Sequence, residues 1–130
     1  MKYYYNTQLK GKSFEEAIEL VKDELKKEGF GVLTEIDVQS TLKNKIGVDF
    51  KKYKILGACN PHFAHQALTH EDKIGVFLPC NVVVEEQVGG AIEVSAVDPI
   101  ASMISVENES LGALAGEVKA KLQRVIDGLA

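Results

Sequence analysis

The sequence has no tryptophan, only two cysteines and only three prolines, and each scarcity excludes something. Two cysteines cannot form the disulfide framework that stabilises small secreted domains. With so few prolines, all at positions that read as element boundaries, the chain is no extended or low-complexity linker. No apolar run approaches the ~20 residues that a membrane-spanning helix needs. Basic residues are not in excess either. Fifteen Lys and Arg stand against 19 Asp and Glu, for a formal charge of −4. Binding to nucleic acid depends on concentrated Lys and Arg facing phosphates, and the basic stretches 22–27 and 43–54 are interrupted by acidic or apolar residues. No nucleic-acid or membrane partner is therefore expected. The segment Met1–Asn6 lacks the apolar core of a secretory signal, so a cytoplasmic location with reduced thiols is expected.

What is present is enough for one domain. At 130 residues, 45% hydrophobic, the chain can bury a core of its own, and residues 1–130 read as a single domain. Tyr3 to Gln8 reads as an opening strand. Ser13 and Glu16 form a capping-box pattern ahead of Phe14, Ala17, Ile18, Val21 and Leu25 at helical spacing, with Gly29 as the stop. Phe30 to Ile36 reads as a second strand. Asp37 caps a short helix carrying Val38, Leu42 and Ile46, which Gly47 ends. Lys54 to Ala58 is a third strand, and Asn60-Pro61 opens a helix with Phe63, Ala64, Ala67 and Leu68.

Gly75–Leu78 and Asn81–Gln87 form one apolar run interrupted by Pro79, which marks an edge, a bulge or a bend. Gly89-Gly90 turns the chain into a hairpin with Ala91–Val97. Asp98-Pro99 opens a short helix through Met103 and Val106. An apolar stripe of Leu111, Leu114, Val118, Leu122, Val125 and Leu129 marks a C-terminal helix. The order is βαβαβαββαα. It predicts an α+β fold with a mixed, mostly antiparallel sheet and helices packed against it.

The chemistry-bearing residues are few. Cys59 ends a strand and precedes a helix start, where a thiol lies near unpaired N–H groups that favour the thiolate. It reads either as a nucleophile, redox thiol or sulfur carrier, or as a small hydrophobe closing a core strand. Cys80 follows Pro79, which exposes the sulfur or bends the strand above it. The two thiols are 21 positions apart, a separation that implies no disulfide. Cys59, His62 and Cys80 are a candidate metal set, although the spacing matches no finger pattern. No nucleophile elbow, phosphate loop or dinucleotide fingerprint occurs, so a classical enzyme is not indicated and no cofactor is named by the residues.

Three stretches carry a resemblance. They are 29–38 (GFGVLTEIDV), 53–61 (YKILGACNP) and 75–84 (GVFLPCNVVV), and Val97-Asp98-Pro99 fits with them. Together they resemble the bacterial and archaeal domain-of-unknown-function family 302, across nearly the whole chain. The resemblance implies a compact α+β domain with no assigned catalytic residue. It further implies that Asn60, Pro61, Leu78 and Pro79 are framework, and that Cys59 and Cys80 mark a subgroup. The expected function is a small-molecule-binding or thiol- or sulfur-linked accessory protein using Cys59, Asn60, Pro61, Pro79, Cys80 and Asn81. The alternatives are a metal-binding protein, or a non-catalytic structural module assembling as a homodimer.

Overall fold

The computed structural model describes residues 2–130. Five strands form one sheet: β1 (Tyr4–Leu9), β2 (Gly31–Asp37), β3 (Tyr53–Cys59), β4 (Cys80–Glu86) and β5 (Ile92–Val97). Their spatial order is β1-β5-β4-β3-β2, and all four pairings are antiparallel. The helices are α1 (Phe14–Lys27), α2 (Val38–Ile46), α3 (Pro61–His70), α4 (Pro99–Ser102) and α5 (Glu109–Leu129). The α+β class and the element order match the expectation. The sheet is antiparallel throughout the described residues, because each helical connection between sheet neighbours returns the chain in the opposite sense.

Local signals account for most boundaries. Ser13 accepts from the Glu16 amide while Glu16 returns to the Ser13 N–H, a complete capping box. Five apolar side chains of α1, from Phe14 to Leu25, are buried, and Gly29 leaves the helix at φ +83°. Asp37 accepts from the Ser40 amide at 2.9 Å, and Gly47 ends α2 at φ +66°. Gly89 and Gly90 both take positive φ at the β4–β5 turn.

Strand alternation places the core on one side. Val82, Val84, Ile92, Val94, Ala96 and Leu56 are fully buried beneath α1 and α5, while their sequence neighbours point to the other, open face. Helix α5 contributes Leu111, Ala115, Val118, Leu122, Val125 and Ile126 to the buried surface. Leu114 and Leu129, expected in the stripe, are only half-buried. The edge strand β2 is irregular and charged, features that disfavour edge-to-edge pairing. Its register shifts between Val32 and Thr34, and Glu35 is held by Lys22 at 2.8 Å and Lys54 at 3.6 Å.

Three expectations are corrected. Gly75–Leu78 is not strand: Asp72–Phe77 forms a 3-10 helix that buries Ile74 and leaves Val76 81% exposed. A short apolar run has no period that separates the two conformations. Helix α2 forms where expected, but its apolar positions are not core: Val38 and Leu42 are half-buried and Ile46 is exposed. The helix opened by Asp98-Pro99 stops at Ser102, short of Met103 and Val106.

Asp98 organises the junction between β5 and α4. Its carboxylate accepts from the amides of Ile100 at 2.9 Å and Ala101 at 3.4 Å, from the Tyr5 hydroxyl at 3.1 Å, and pairs with Lys119 at 3.3 Å. Burial by itself would raise its pKa, but the bonds from Lys119, the two amides and Tyr5 outweigh burial and lower it. The folded value therefore lies below the ordinary unfolded value of about 3.9. The stabilisation is complete above that value and is lost as pH falls through the folded pKa. Urea unfolding of wild type and Asp98→Asn should differ most near pH 7 and converge once pH drops below about 4. A difference that stays constant between pH 7 and pH 3 would contradict this account.

Gly57 is a second sensitive point. A Cβ there would collide with Thr34 Oγ1 and lie 2.7 Å from Pro79 Cγ. Gly57→Ala should lower stability by about 1–3 kcal/mol, the usual cost of overpacking, as measured by chemical denaturation. A loss under half a kcal/mol would show that Thr34 and Pro79 yield freely.

Candidate functional site

The sheet ends where β3 finishes and β4 begins, and there the chain encloses an apolar pocket. Ala58 and Cys80 are register partners and form its floor. Phe63, Ala64 and Ala67 of α3 make one wall, and Leu111, Leu114, Ala115 and Val118 of α5 make another. Pro99 and Met103 close a third side, beside Leu78 and Pro79. The enclosed cavity measures about 50 Å³ and opens to solvent at its mouth. No charged side chain lines it. Asn60 and the two thiols are its only polar side-chain groups.

Asn60 is 9% exposed and fully engaged. Its Oδ1 accepts from the Phe63 amide at 3.5 Å as the α3 cap, and its Nδ2 donates to the Glu28 carbonyl at 3.4 Å. One amide thus ties the start of α3 to the end of α1. A side chain at Gly29 would meet Asn60 Nδ2 at 3.0 Å, so the glycine also leaves room for this contact.

Both cysteines are free. Cys80 is buried, and burial, then the neighbouring Cys59, pushes its pKa up to about 11. Near neutral pH Cys80 is a protonated thiol, a weakly polar apolar-sized group and not a nucleophile. Cys59 is half-buried and also borders the pocket.

The six residues singled out by sequence are therefore divided. Cys59, Asn60, Pro79 and Cys80 meet at the pocket. Pro61 is exposed at the first turn of α3 and does not line it. Asn81 points to the opposite face of the sheet, where it borders a separate groove. The Leu78–Pro79 peptide bond is cis. His62, His65 and His70 are exposed on α3. Among the described residues no three His, Cys, Asp or Glu side chains come together as a metal-binding group, so Cys59, His62 and Cys80 are not assembled as a ligand set.

Sequence reasoning missed the walls. Apolar residues of α3 and α5 read as ordinary core, and only their small size carries a signal. Ala64, Ala67 and Ala115 face a space that larger residues would fill. No helix among the described residues is long and apolar enough to cross a membrane.

Comparison with known proteins agrees with the fold. A crystal structure of an uncharacterized conserved protein DUF302 from Bacillus stearothermophilus matches with a TM-score of 0.91 at 29% identity, covering 100% of both chains. No curated protein matches the chain. The family model described as domain of unknown function DUF302 matches residues 5–129. The chain belongs to that family.

Proposed function

We propose that the protein binds a small uncharged apolar ligand in the pocket between α3, α5 and the end of the sheet. The convergence of Cys59, Asn60, Pro79 and Cys80 on one apolar cavity carries this reading. Ligand sites are concave and mainly apolar, with a few polar groups to orient the ligand. No charged side chain lines the pocket and none of its buried polar side-chain atoms is unpaired, so the lining favours an uncharged ligand over a carboxylate or phosphate. The ligand this lining suits is a short aliphatic chain without charge, since the enclosed space of about 50 Å³ is too small for a ring. The thiols then serve as soft, polarisable lining.

A pocket-filling substitution tests the reading. 1-Hexanol, whose chain can enter while its hydroxyl stays at the mouth, should give saturable shifts at Ala58, Phe63 and Ala115 when titrated into 15N-labelled protein. Ala115→Leu should abolish them, and Ala64→Leu provides a second variant should the first unfold. Saturable binding that survives both folded variants, or none in wild type, would refute the pocket as the site.

The thiols are tested separately. At pH 8, iodoacetamide should modify Cys59 well before Cys80, whose reaction should accelerate only as pH approaches 11. Cys59→Ser should leave 1-hexanol binding within about threefold of wild type, because the half-buried position keeps a hydroxyl near water, whereas Cys80→Ser places a hydroxyl on the apolar floor and should weaken binding more. Half-burial at the pocket mouth supports a second reading, in which the Cys59 thiol adds across an electron-poor carbon–carbon double bond of a ligand, sulfur bonding to one carbon and the thiol proton passing to the other. Mass spectrometry of the protein isolated from cells, showing an adduct on Cys59 that Cys59→Ser eliminates, would favour that reading.

A further inference from the structure

The pocket lies on a seam between two apolar clusters. Phe30, Ala58, Cys80 and Val118 belong to the main core beneath α1 and α5. Ala67 and Leu111, which also line the pocket, belong instead to a smaller cluster with Ile74. Segment 61–78, which holds α3 and the 3-10 helix, supplies Ala67, Ile74 and the half-buried Leu78 to that smaller cluster. The ends of the segment are close together. It leaves β3 and re-enters β4 on neighbouring strands, beside the Ala58–Cys80 pairing.

The segment is thinly attached. Only Ala67 and Ile74 of it are buried, against five side chains of α1 and six of α5. Phe63, near its first end, is its one side chain packed against the main cluster. Its ion pair, between Lys73 and Asp72, is internal. Asn60 caps α3 from the sheet side. Beyond that cap, one side chain among the described residues supplies every hydrogen bond that reaches the segment from outside. Asn108 Nδ2 donates to the His70 carbonyl at 2.9 Å and to Glu71 Oε1 at 3.1 Å. Regions with few buried contacts open at a lower free energy than the whole fold.

We infer that segment 61–78 is a lid over the apolar pocket, turning about its two ends at the sheet and latched by Asn108. The inference rests on the pocket being the ligand site and names how that site is gated. Opening parts the α3 wall from the α5 wall, so a ligand enters without disturbing the sheet. Closing returns Ala67 to Leu111 and shuts the ligand's chain away from water. Gates of this kind bend at a few element-terminal residues, which here are the ends of β3 and β4.

Amide hydrogen exchange of the full-length protein, followed by NMR without ligand, tests the lid. Amides of residues 65–71 should share one opening and be protected at least tenfold less than those of Val84, Val94 and Leu122. Asn108→Asp keeps an oxygen for the Ser110 amide, which Asn108 Oδ1 accepts at 3.0 Å, but removes the latch donor. It should lower protection of residues 65–71 about tenfold, as the loss of two partly exposed hydrogen bonds would. Ile92→Val, in the main core, should lower protection of Val84 and Leu122 about fivefold and leave residues 65–71 unchanged, because the sheet stays intact when the lid opens. Saturating 1-hexanol should raise protection of residues 65–71 in wild type. The lid is overturned if residues 65–71 are protected as strongly as the sheet, if Asn108→Asp leaves them unaltered, or if Ile92→Val moves them with the sheet. Bound 1-hexanol that leaves residues 65–71 unchanged overturns the gating. An absence of 1-hexanol binding refutes the pocket reading instead, and the ligand-free exchange then decides the motion by itself.

Discussion

Everything in this fold follows from a sheet that is covered on one side only. Strand side chains alternate, so a sheet with helices on one face must be apolar at every second position and tolerant of water at the others. Strands β4 and β5 obey this strictly: Val82, Val84, Ile92, Val94 and Ala96 are buried, while Val83, Glu85, Glu93 and Ser95 face outward. Slipping either strand by one residue would expose that whole apolar set, so the register is pinned by the hydrophobic effect as well as by the Gly89-Gly90 turn. The helices have no comparable freedom. Helices α1 and α5 must both lie on the apolar face, and α5 is long enough to run past the end of the strands.

That overhang makes the pocket. Beneath the second half of α5 the sheet supplies Val84 and Val94, and large side chains such as Leu122 and Ile126 fill the gap. Toward its N-terminal half the strands end, α3 replaces them, and the small residues Ala64, Ala67 and Ala115 stand among the larger side chains that line the space. A cavity lined by alanine in an otherwise close-packed interior forgoes dispersion contacts that larger residues would recover. The neighbouring thiols share that environment but not its consequences. Cys80, on the buried floor, is held as a neutral thiol, whereas Cys59 at the strand end retains access to the mouth.

Legibility in the sequence follows the range of the interactions. Caps and stops are local, and Ser13, Asp37, Asn60 and Asp98 all bond as their spacing predicts. The Gly29 and Gly47 stops and the Gly89-Gly90 turn are local too. The errors arise where tertiary contacts decide. The residues Gly75, Val76 and Phe77 have a strand's composition but no partner strand, and adopt a 3-10 turn that buries only Ile74. Val38, Leu42 and Ile46 have a helical period, yet Val38 and Leu42 are only half-buried and Ile46 is exposed. Ala115 and Ile126 of α5 are buried although the stripe read from sequence omits both, because a long helix on a curved sheet uses a wider face than a narrow period suggests.

The two Cys-Asn steps show the same physics at the scale of single residues. In Cys59-Asn60 the strand is ending, so both residues turn toward the pocket, and Asn60 spends its amide on the α3 cap and the Glu28 carbonyl. In Cys80-Asn81 the strand is beginning, and the alternation of β4 applies at once. Cys80 faces the apolar pocket with Ala58 opposite, while Asn81 pairs with Gly57 on the open face and borders the tyrosine groove. Identical dipeptides therefore occupy different environments because one lies at the exit of a strand and the other at the entrance. A single peptide bond at the start of β4 separates an apolar, uncharged cavity from a solvent-open groove lined by Tyr3, Tyr4, Tyr53, Glu85 and Glu93. A change to either residue of that step acts on one side of the sheet, unless it disturbs the Ala58–Cys80 pairing on which both sides depend.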